Sequence, residues 1–506
     1  MASEAEVKLA LGTLVLSASQ MLALLIGLAF SVIIARLLGP ENYGLVGVSL
    51  TYPMLLASLL DLGTSSILVK YAALPRQDRS AYVWSVASFR FFLGLVGFAA
   101  NYVLADYFAM LLARPYIADY IRILSVYIFA LIALDTVRLA FTGLARYTIA
   151  GSITIFQYVI RGLIAVYLIL QGYGVKGAVL SYSLTYALMC VAYLVAFMHA
   201  FGKPAFSLYL LREALAMALP LYASSLAGIL IGPYVSTLLA RHVSNFDIGN
   251  YNVGSLATAP ISALIASIST AALTALSPIE QGNELTSRTQ RIVAYSSLVA
   301  SFLVAGYAAV LPPLVYIMYS RSYRDAPLYA LVLLVGHFVN AFTTGGVLGS
   351  FFVIAGQTKW NLVAGLAGAI TIIASSTILI PVSGALGAAL AYACGSAVSA
   401  ITTYAIARKV FLLDIPIRKV LRGVAPAILG FAIAILAART VLVNISLPIQ
   451  LLLLGVIYLL AHLSTLPVFV SKSALRDAVA FASKLPYIGV LIKPFGELYL
   501  KLLRVE

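Results

Sequence analysis

The run Tyr82-Val-Trp-Ser-Val-Ala-Ser-Phe-Arg90-Phe-Phe-Leu-Gly94-Leu-Val-Gly97-Phe-Ala-Ala-Asn101-Tyr-Val-Leu104 decides the fold class. An α-helix needs about 20 consecutive apolar residues to cross the hydrocarbon core, whereas a barrel strand alternates apolar and polar residues over about ten. This run carries one charge and does not alternate, so it reads as a membrane-spanning helix. Arg90, Gly94, Gly97 and Asn101 recur at helical spacing, which gives that helix one small and polar face.

The same pattern recurs along the chain. Fourteen apolar segments lie near 11–35, 44–69, 82–104, 117–143, 148–170, 176–199, 213–240, 249–277, 290–318, 326–355, 361–381, 384–407, 420–443 and 448–470. The 506-residue chain is 62% hydrophobic and 10% charged, against about 25% charged in a soluble domain. The expected class is an all-α polytopic membrane protein with about 14 transmembrane helices. The formal charge of +15 sits largely in the connections and the C-terminal tail. With the N-terminus in the cytoplasm, cations of the inner loops and tail outnumber those of the outer loops by roughly three to one. That bias predicts cytoplasmic termini on both sides and assigns the charge to topology and anionic lipid, not to nucleic acid. The first segment lacks a cationic leader and outruns a signal-peptide core, so no cleaved signal is expected. Connections are short and hold no G-x-x-x-x-G-K-[ST] phosphate loop, which argues against ATP hydrolysis and against an enzyme. Cys190 and Cys394 fall in apolar segments; no metal site, disulfide or cofactor is indicated.

An internal repeat organises the segments. Gly174-Val-Lys-Gly177-Ala178 with Tyr182 matches Gly384-Ala-Leu-Gly387-Ala388 with Tyr392, and Gly47 and Pro53 match Gly254 and Pro260 at nearly the same offset. Six segments per copy make the repeats parallel. The expected division is an N-terminal six-helix lobe over 1–205, a C-terminal six-helix lobe over 206–412, two extra helices over 413–470, and a basic amphipathic tail over 471–506 on the inner leaflet.

Five ionisable side chains stand inside apolar segments of the first lobe: Asp61, Arg90, Asp135, Arg138 and Arg161. The matching stretches of the second lobe carry essentially none; Asp61 aligns with Ile268 and Arg161 with Thr371. A charge at bilayer depth costs a few kcal/mol and marks a functional site by default. At 1.5 Å per residue, Asp61, Arg90 and Arg138 lie roughly 12–14 Å inside one boundary, with Asp135 slightly deeper and Arg161 near the midplane. Gln157 and Arg161 are one turn apart, Ser58, Asp61 and Ser65 share a face of one helix, and Ser17 and Gln20 face inward from the first. Three arginines against two carboxylates leave a positive chamber whose donor forks match phosphate. Arg90, Arg161 and Arg138 are the candidate phosphate ligands, and Gln20, Asn101 and Gln157 the candidate contacts to sugar hydroxyls. Asp61 and Asp135 are candidates either for pairing with the arginines or for coupling to a Na+ or H+ gradient.

The run Ala35-Arg36-Leu37-Leu38-Gly39-Pro40-Glu41-Asn42-Tyr43-Gly44 resembles the first outer loop of polysaccharide-transport (Wzx-like) flippases, members of the multidrug/oligosaccharidyl-lipid/polysaccharide (MOP) exporter superfamily. Asp61-Leu62-Gly63-Thr64-Ser65-Ser66 is similar to an element of that family's second helix, and Ala355-Gly356-Gln357-Thr358-Lys359 followed by Gly384-Ala385-Leu386-Gly387-Ala388-Ala389 adds a third likeness. The resemblance implies two lobes in a V around a central cavity, with the extra helices packed beside it. It also implies a monomer in the cell membrane that moves a polyprenyl- or dolichyl-(pyro)phosphate-linked oligosaccharide to the outer leaflet by alternating access. The alternatives are a multidrug or organic-cation antiporter of the same superfamily, a lipid II-type flippase, and, from another class, a membrane-embedded glycan polymerase, which the short outer loops disfavour.

Overall fold

The computed structural model describes residues 4–74, 79–279, 282–343, 345–415 and 417–483, with 494, 496, 500 and 501. Among these residues every regular element is a helix. Two compact units meet within one helix, the first ending at Gly249 and the second beginning at Asn250. The first holds α1 (Glu4–Leu59), α2 (Thr64–Ala73), α3 (Arg79–Val103), α4 (Ala105–Leu111), α5 (Ala118–Gly143), α6 (Tyr147–Leu168), α7 (Gly174–Phe201) and α8 (Leu208–His242), and the start of α9 (Asn245–Ala257). The second continues with α10 (Ala259–Leu276), α11 (Asn283–Tyr319), α12 (Ala326–Thr343), α13 (Gly345–Ile354), α14 (Lys359–Lys409), α15 (Ile417–Thr440), α16 (Leu447–Phe469) and α17 (Lys472–Ala482).

Among the described residues ten helices are long and apolar enough to cross a membrane, or eleven if the two arms of α8, bent by 67°, form one span. That is fewer than the fourteen segments expected from the sequence, and three of the long spans are broken within. The break is at Gly39 in Val15–Leu59, at Gly172 to Gly174 in Tyr147–Phe201, and at Ser383 and Gly384 in Lys359–Lys409. The segment expected at 44–69 is also interrupted: residues 60–63 form a turn with Leu62 and Gly63 at positive φ, so Asp61 stands on a turn and not on a helix face. Ser58 is exposed and bonds back to the Met54 carbonyl, away from that turn.

The repeat seen in the sequence has a backbone counterpart. Gly174 (φ 50°, ψ −128°) and Gly384 (φ 59°, ψ −135°) adopt nearly the same conformation, which a side chain would strain, at the same place in the two copies.

The first compact unit runs past the sequence boundary at 205 because α8 packs into it. The Tyr222 hydroxyl donates to the Leu59 carbonyl at 2.8 Å, and the Tyr52 and Thr237 hydroxyls meet at 3.1 Å. Arg114 closes the end of α8: its Nε donates to Asn245 Oδ1 at 2.5 Å, Nη2 to the Val243 carbonyl at 2.9 Å, and Nη1 to the Ala240 carbonyl. A cation there satisfies carbonyls that a helix C-terminus leaves unpaired. Beside it the loop motif touches backbone to backbone. A Cβ on Gly44 would fall 2.0 Å from the Asn245 carbonyl oxygen, and one on Gly249 would fall 2.0 Å from that of Pro40.

In the second unit, α11, α15 and α16 enclose a core of small residues, Ala305, Ala309, Ala427 and Ala434, around Tyr458, whose hydroxyl donates to the Phe302 carbonyl at 2.7 Å. Small residues let helix backbones approach closely where lipid supplies no hydrophobic drive. Of the amphipathic tail, α17 buries Leu475 and Ala478 and exposes Arg476 and Asp477. Lys484, Lys493 and Arg504 lie outside the described residues.

The contact between Gly249 and Pro40 predicts that Gly249→Ala destabilises the purified protein by about 1–3 kcal/mol, because backbone must move. Gly228→Ala, in the middle of α8 with no atom within 4 Å of the added carbon, is expected to be neutral or stabilising by up to about 1 kcal/mol. Thermal unfolding in one detergent compares the two.

Candidate functional site

Arg90, on α3, is 2% exposed, and an isolated guanidinium at that depth would be prohibitive. It is met from three sides. Nη1 donates to Asp61 Oδ1 at 2.6 Å, to Thr64 Oγ1 at 2.8 Å and to Ser65 Oγ at 3.0 Å. Nη2 donates to Asp135 Oδ2 at 3.0 Å, and Nε to Thr136 Oγ1 at 2.7 Å. The turn at 60–63 makes this set, since it places the Asp61 carboxylate beside the first residues of α2. Ser65 also donates to Asp61 Oδ1, and Thr64 to the Asp61 carbonyl at 2.5 Å. Every nitrogen of Arg90 is committed, so this residue is a clamp between helices.

Asp135 is shared. Its other oxygen accepts from Arg138 Nη2 at 2.6 Å and Nε at 3.1 Å. Two acids and two arginines therefore balance within one network, and Asp61, Asp135, Arg90 and Arg138 stand together. Arg138 is only partly covered, with 31% of its side chain exposed.

Beside Asp135 and Arg138 opens a cavity of about 210 Å³, also lined by Gln20, Thr154, Gln157 and Tyr186. It joins α1, α5, α6 and α7, and it gathers Gln20, Gln157 and Arg138 from the expected ligand set. Glycines bring α1 close to α6: a Cβ on Gly151 would strike Ser19, and one on Gly162 would strike Phe30. Asn101 is elsewhere. It is wholly buried between α3 and α5, donating to the Ile121 carbonyl at 2.6 Å and to Ser125 Oγ at 2.9 Å, so it ties helices together and does not face the cavity.

Arg161 is one turn beyond Gln157 on α6 and belongs to no ion pair among the described residues. Its guanidinium carbon lies 4.7 Å from the centre of the Tyr182 ring and 5.2 Å from that of Tyr158. Tyr127 packs edge-on against Tyr182 and Tyr186, at 5.4 and 4.9 Å, and completes an aromatic cage. Ring faces stabilise a cation without neutralising it. Beside the balanced network, Arg161 is thus the positive charge without an acidic partner among the described residues, next to a cavity wall at Tyr186. The sequence reading placed Ser65 beside Asp61 but missed the tyrosine cage and the hydroxyl ligands Thr64 and Thr136. The available signals were Tyr182 and Tyr186 four residues apart, and the hydroxyl residues adjoining Asp61 and Asp135.

This fold is that of a polytopic membrane protein whose first unit gathers arginines and carboxylates beside a polar cavity. The chain belongs to a family of polysaccharide biosynthesis proteins whose model matches residues 33–327. Solved structures share its architecture. The lipid II flippase MurJ in an inward closed conformation superposes with a TM-score of 0.73 at 14% identity, covering 89% of this chain and 98% of that one. An inward-facing multidrug-resistance MATE transporter gives 0.58 at 15% identity, over 79% and 98% of the two chains. A MOP-superfamily transporter from Pyrococcus furiosus, described as having a binding pocket of reverse polarity, gives 0.54 at 16% identity, over 79% and 94%. No curated protein matches the chain in sequence.

The clamp predicts that Arg90→Gln destabilises the protein by about 3–5 kcal/mol, because two carboxylates lose their shared partner. In the double variant with Asp61→Asn the loss should be smaller than the sum of the two single losses, by about 1 kcal/mol or more, in a thermal-unfolding cycle.

Proposed function

We propose that this protein is a flippase for a polyprenyl- or dolichyl-(pyro)phosphate-linked oligosaccharide, carrying it from the cytoplasmic to the outer leaflet by alternating access. The observation that carries the reading is Arg161, a cation without an acidic partner among the described residues, caged by tyrosines beside a polar cavity. Such a group attracts an anion, and a guanidinium fork suits phosphate. Arg161 and the exposed side of Arg138 would hold the phosphate, while Gln20, Gln157 and Thr154 would meet sugar hydroxyls. Arg90 and Asn101 would serve the framework.

A lipid-linked substrate also needs a place for its tail. An apolar groove of about 350 Å³ in the second unit, lined by Val304, Leu331, Val335, Phe338, Ile428 and Phe431 of α11, α12 and α15, suits a polyprenyl chain. Of the two acids, Asp135 lines the cavity and is the better placed to couple transport to a proton or sodium gradient. The protein would act as a monomer in the cell membrane, with both termini cytoplasmic and without ATP. An organic-cation antiporter would be expected to present surplus carboxylate, and here the surplus is Arg161.

The test is reconstituted flipping of a fluorescent lipid-linked oligosaccharide. Arg161→Gln should lower the rate about tenfold or more, with Arg161→Lys intermediate because it lacks the fork, and both should unfold at the wild-type temperature. A wild-type rate in Arg161→Gln removes Arg161 from the mechanism. Export of organic cations that survives Arg161→Gln would favour the antiporter. Collapsing the proton and sodium gradients in turn should slow flipping for one ion; an unchanged rate for both removes the coupling.

A further inference from the structure

A second cavity, of about 610 Å³, lies wholly within the second unit. It sits where three membrane spans end on one side: the start of Glu284–Tyr319, the start of Val420–Thr440 and the finish of Leu447–Phe469. The helix α17, which follows the last of these, forms part of the wall through Asp477. The cavity is therefore at a membrane–water boundary, and its volume is that of an ordinary small-molecule site.

Its lining is graded. Leu298, Phe469 and Val470 give it an apolar part. Arg291 and Arg422 give it two exposed guanidiniums, neither in an ion pair among the described residues, with Ser287 and Gln290 adding neutral polar groups. Two acids complete it. Asp477 accepts a hydrogen bond from the Tyr295 hydroxyl at 2.7 Å, which pins α17 to α11, and Asp414 is exposed in the connection before α15. Among the described lining residues cations and acids are thus equal in number. A polyanion would meet two carboxylates here, whereas a group bearing both signs finds counter-charges for each.

We propose that this cavity seats the headgroup of a zwitterionic phospholipid of the phosphoethanolamine type. The phosphodiester lies between Arg291 and Arg422, the ammonium faces Asp414, and the first methylenes of the chains rest on Leu298 and Phe469. The site does not depend on the transport reading, since it shares no residue with the cavity beside Arg161. A lipid held there would bridge α11, α15 and α17 at one membrane surface.

Native mass spectrometry of the full-length protein, incubated with equimolar phosphatidylethanolamine and phosphatidylglycerol, tests it. The wild type should retain phosphatidylethanolamine over phosphatidylglycerol by about fivefold, and R291Q/R422Q should retain about tenfold less of it while unfolding at the same temperature. Asp414→Asn should shift the preference toward phosphatidylglycerol. Soluble glycerophosphoethanolamine should displace the lipid, and inorganic phosphate at the same concentration should not. Equal retention of the two lipids by the wild type, or undiminished phosphatidylethanolamine on R291Q/R422Q, overturns the proposal. Displacement by inorganic phosphate reassigns the cavity to a free anion and overturns the lipid reading.

Discussion

The first unit depends on one guanidinium. Arg90 is nearly inaccessible, and a charge so placed persists only when its donors are filled and its sign is balanced. Asp61 and Asp135 balance it, and three hydroxyls from α2 and α5 fill the remaining directions. The clamp therefore ties α2, α3 and α5 at one height and fixes the turn at 60–63. Lysine has neither the planar fork nor enough donors in fixed directions to do this. Asp135 transmits the arrangement outward, because the oxygen that Arg90 leaves is the one that orients Arg138 toward the cavity.

Much of this was legible in the sequence. Apolar run length gave the class, and the rise of an α-helix placed Asp61, Arg90, Asp135 and Arg138 close enough to meet. Partnership was less legible. Three arginines and two acids have several pairings, and nothing along the chain says that Arg90 takes both acids while Arg161 takes none. The turn at Asp61 was hidden because Leu62 and Gly63 do not interrupt hydropathy; only a positive φ at both reveals it. The tyrosines around Arg161 were hidden for the opposite reason. Tyrosine is common in this chain, with 31 copies, so four of them converging from α5, α6 and α7 leave no local signature. Asn101 follows the small polar stripe of α3 and bonds to α5, away from the cavity, as such stripes often do.

The repeat and the charges follow different rules. Backbone geometry is duplicated: Gly174 and Gly384 break their helices with nearly the same φ and ψ. Side-chain chemistry is not, since Ile268 is buried where the first copy carries Asp61. The backbone joints are thus duplicated while the buried arginine and its acids, among the described residues, stand in the first unit.

The tyrosine cage has a consequence for ionic strength. Counter-ions weaken attraction between charges exposed to water beyond roughly 10 Å at 0.1 M salt, and weaken buried charges much less. Arg161 is held by ring faces within a helix bundle and only partly exposed, so no carboxylate among the described residues cancels its field and salt screens it less than a charge on an open surface. An anion reaching it from the cavity should lose less of its binding as salt rises than one held at an exposed site. That sets it apart from the basic loops at the membrane surface, whose pull on lipid fades as salt rises.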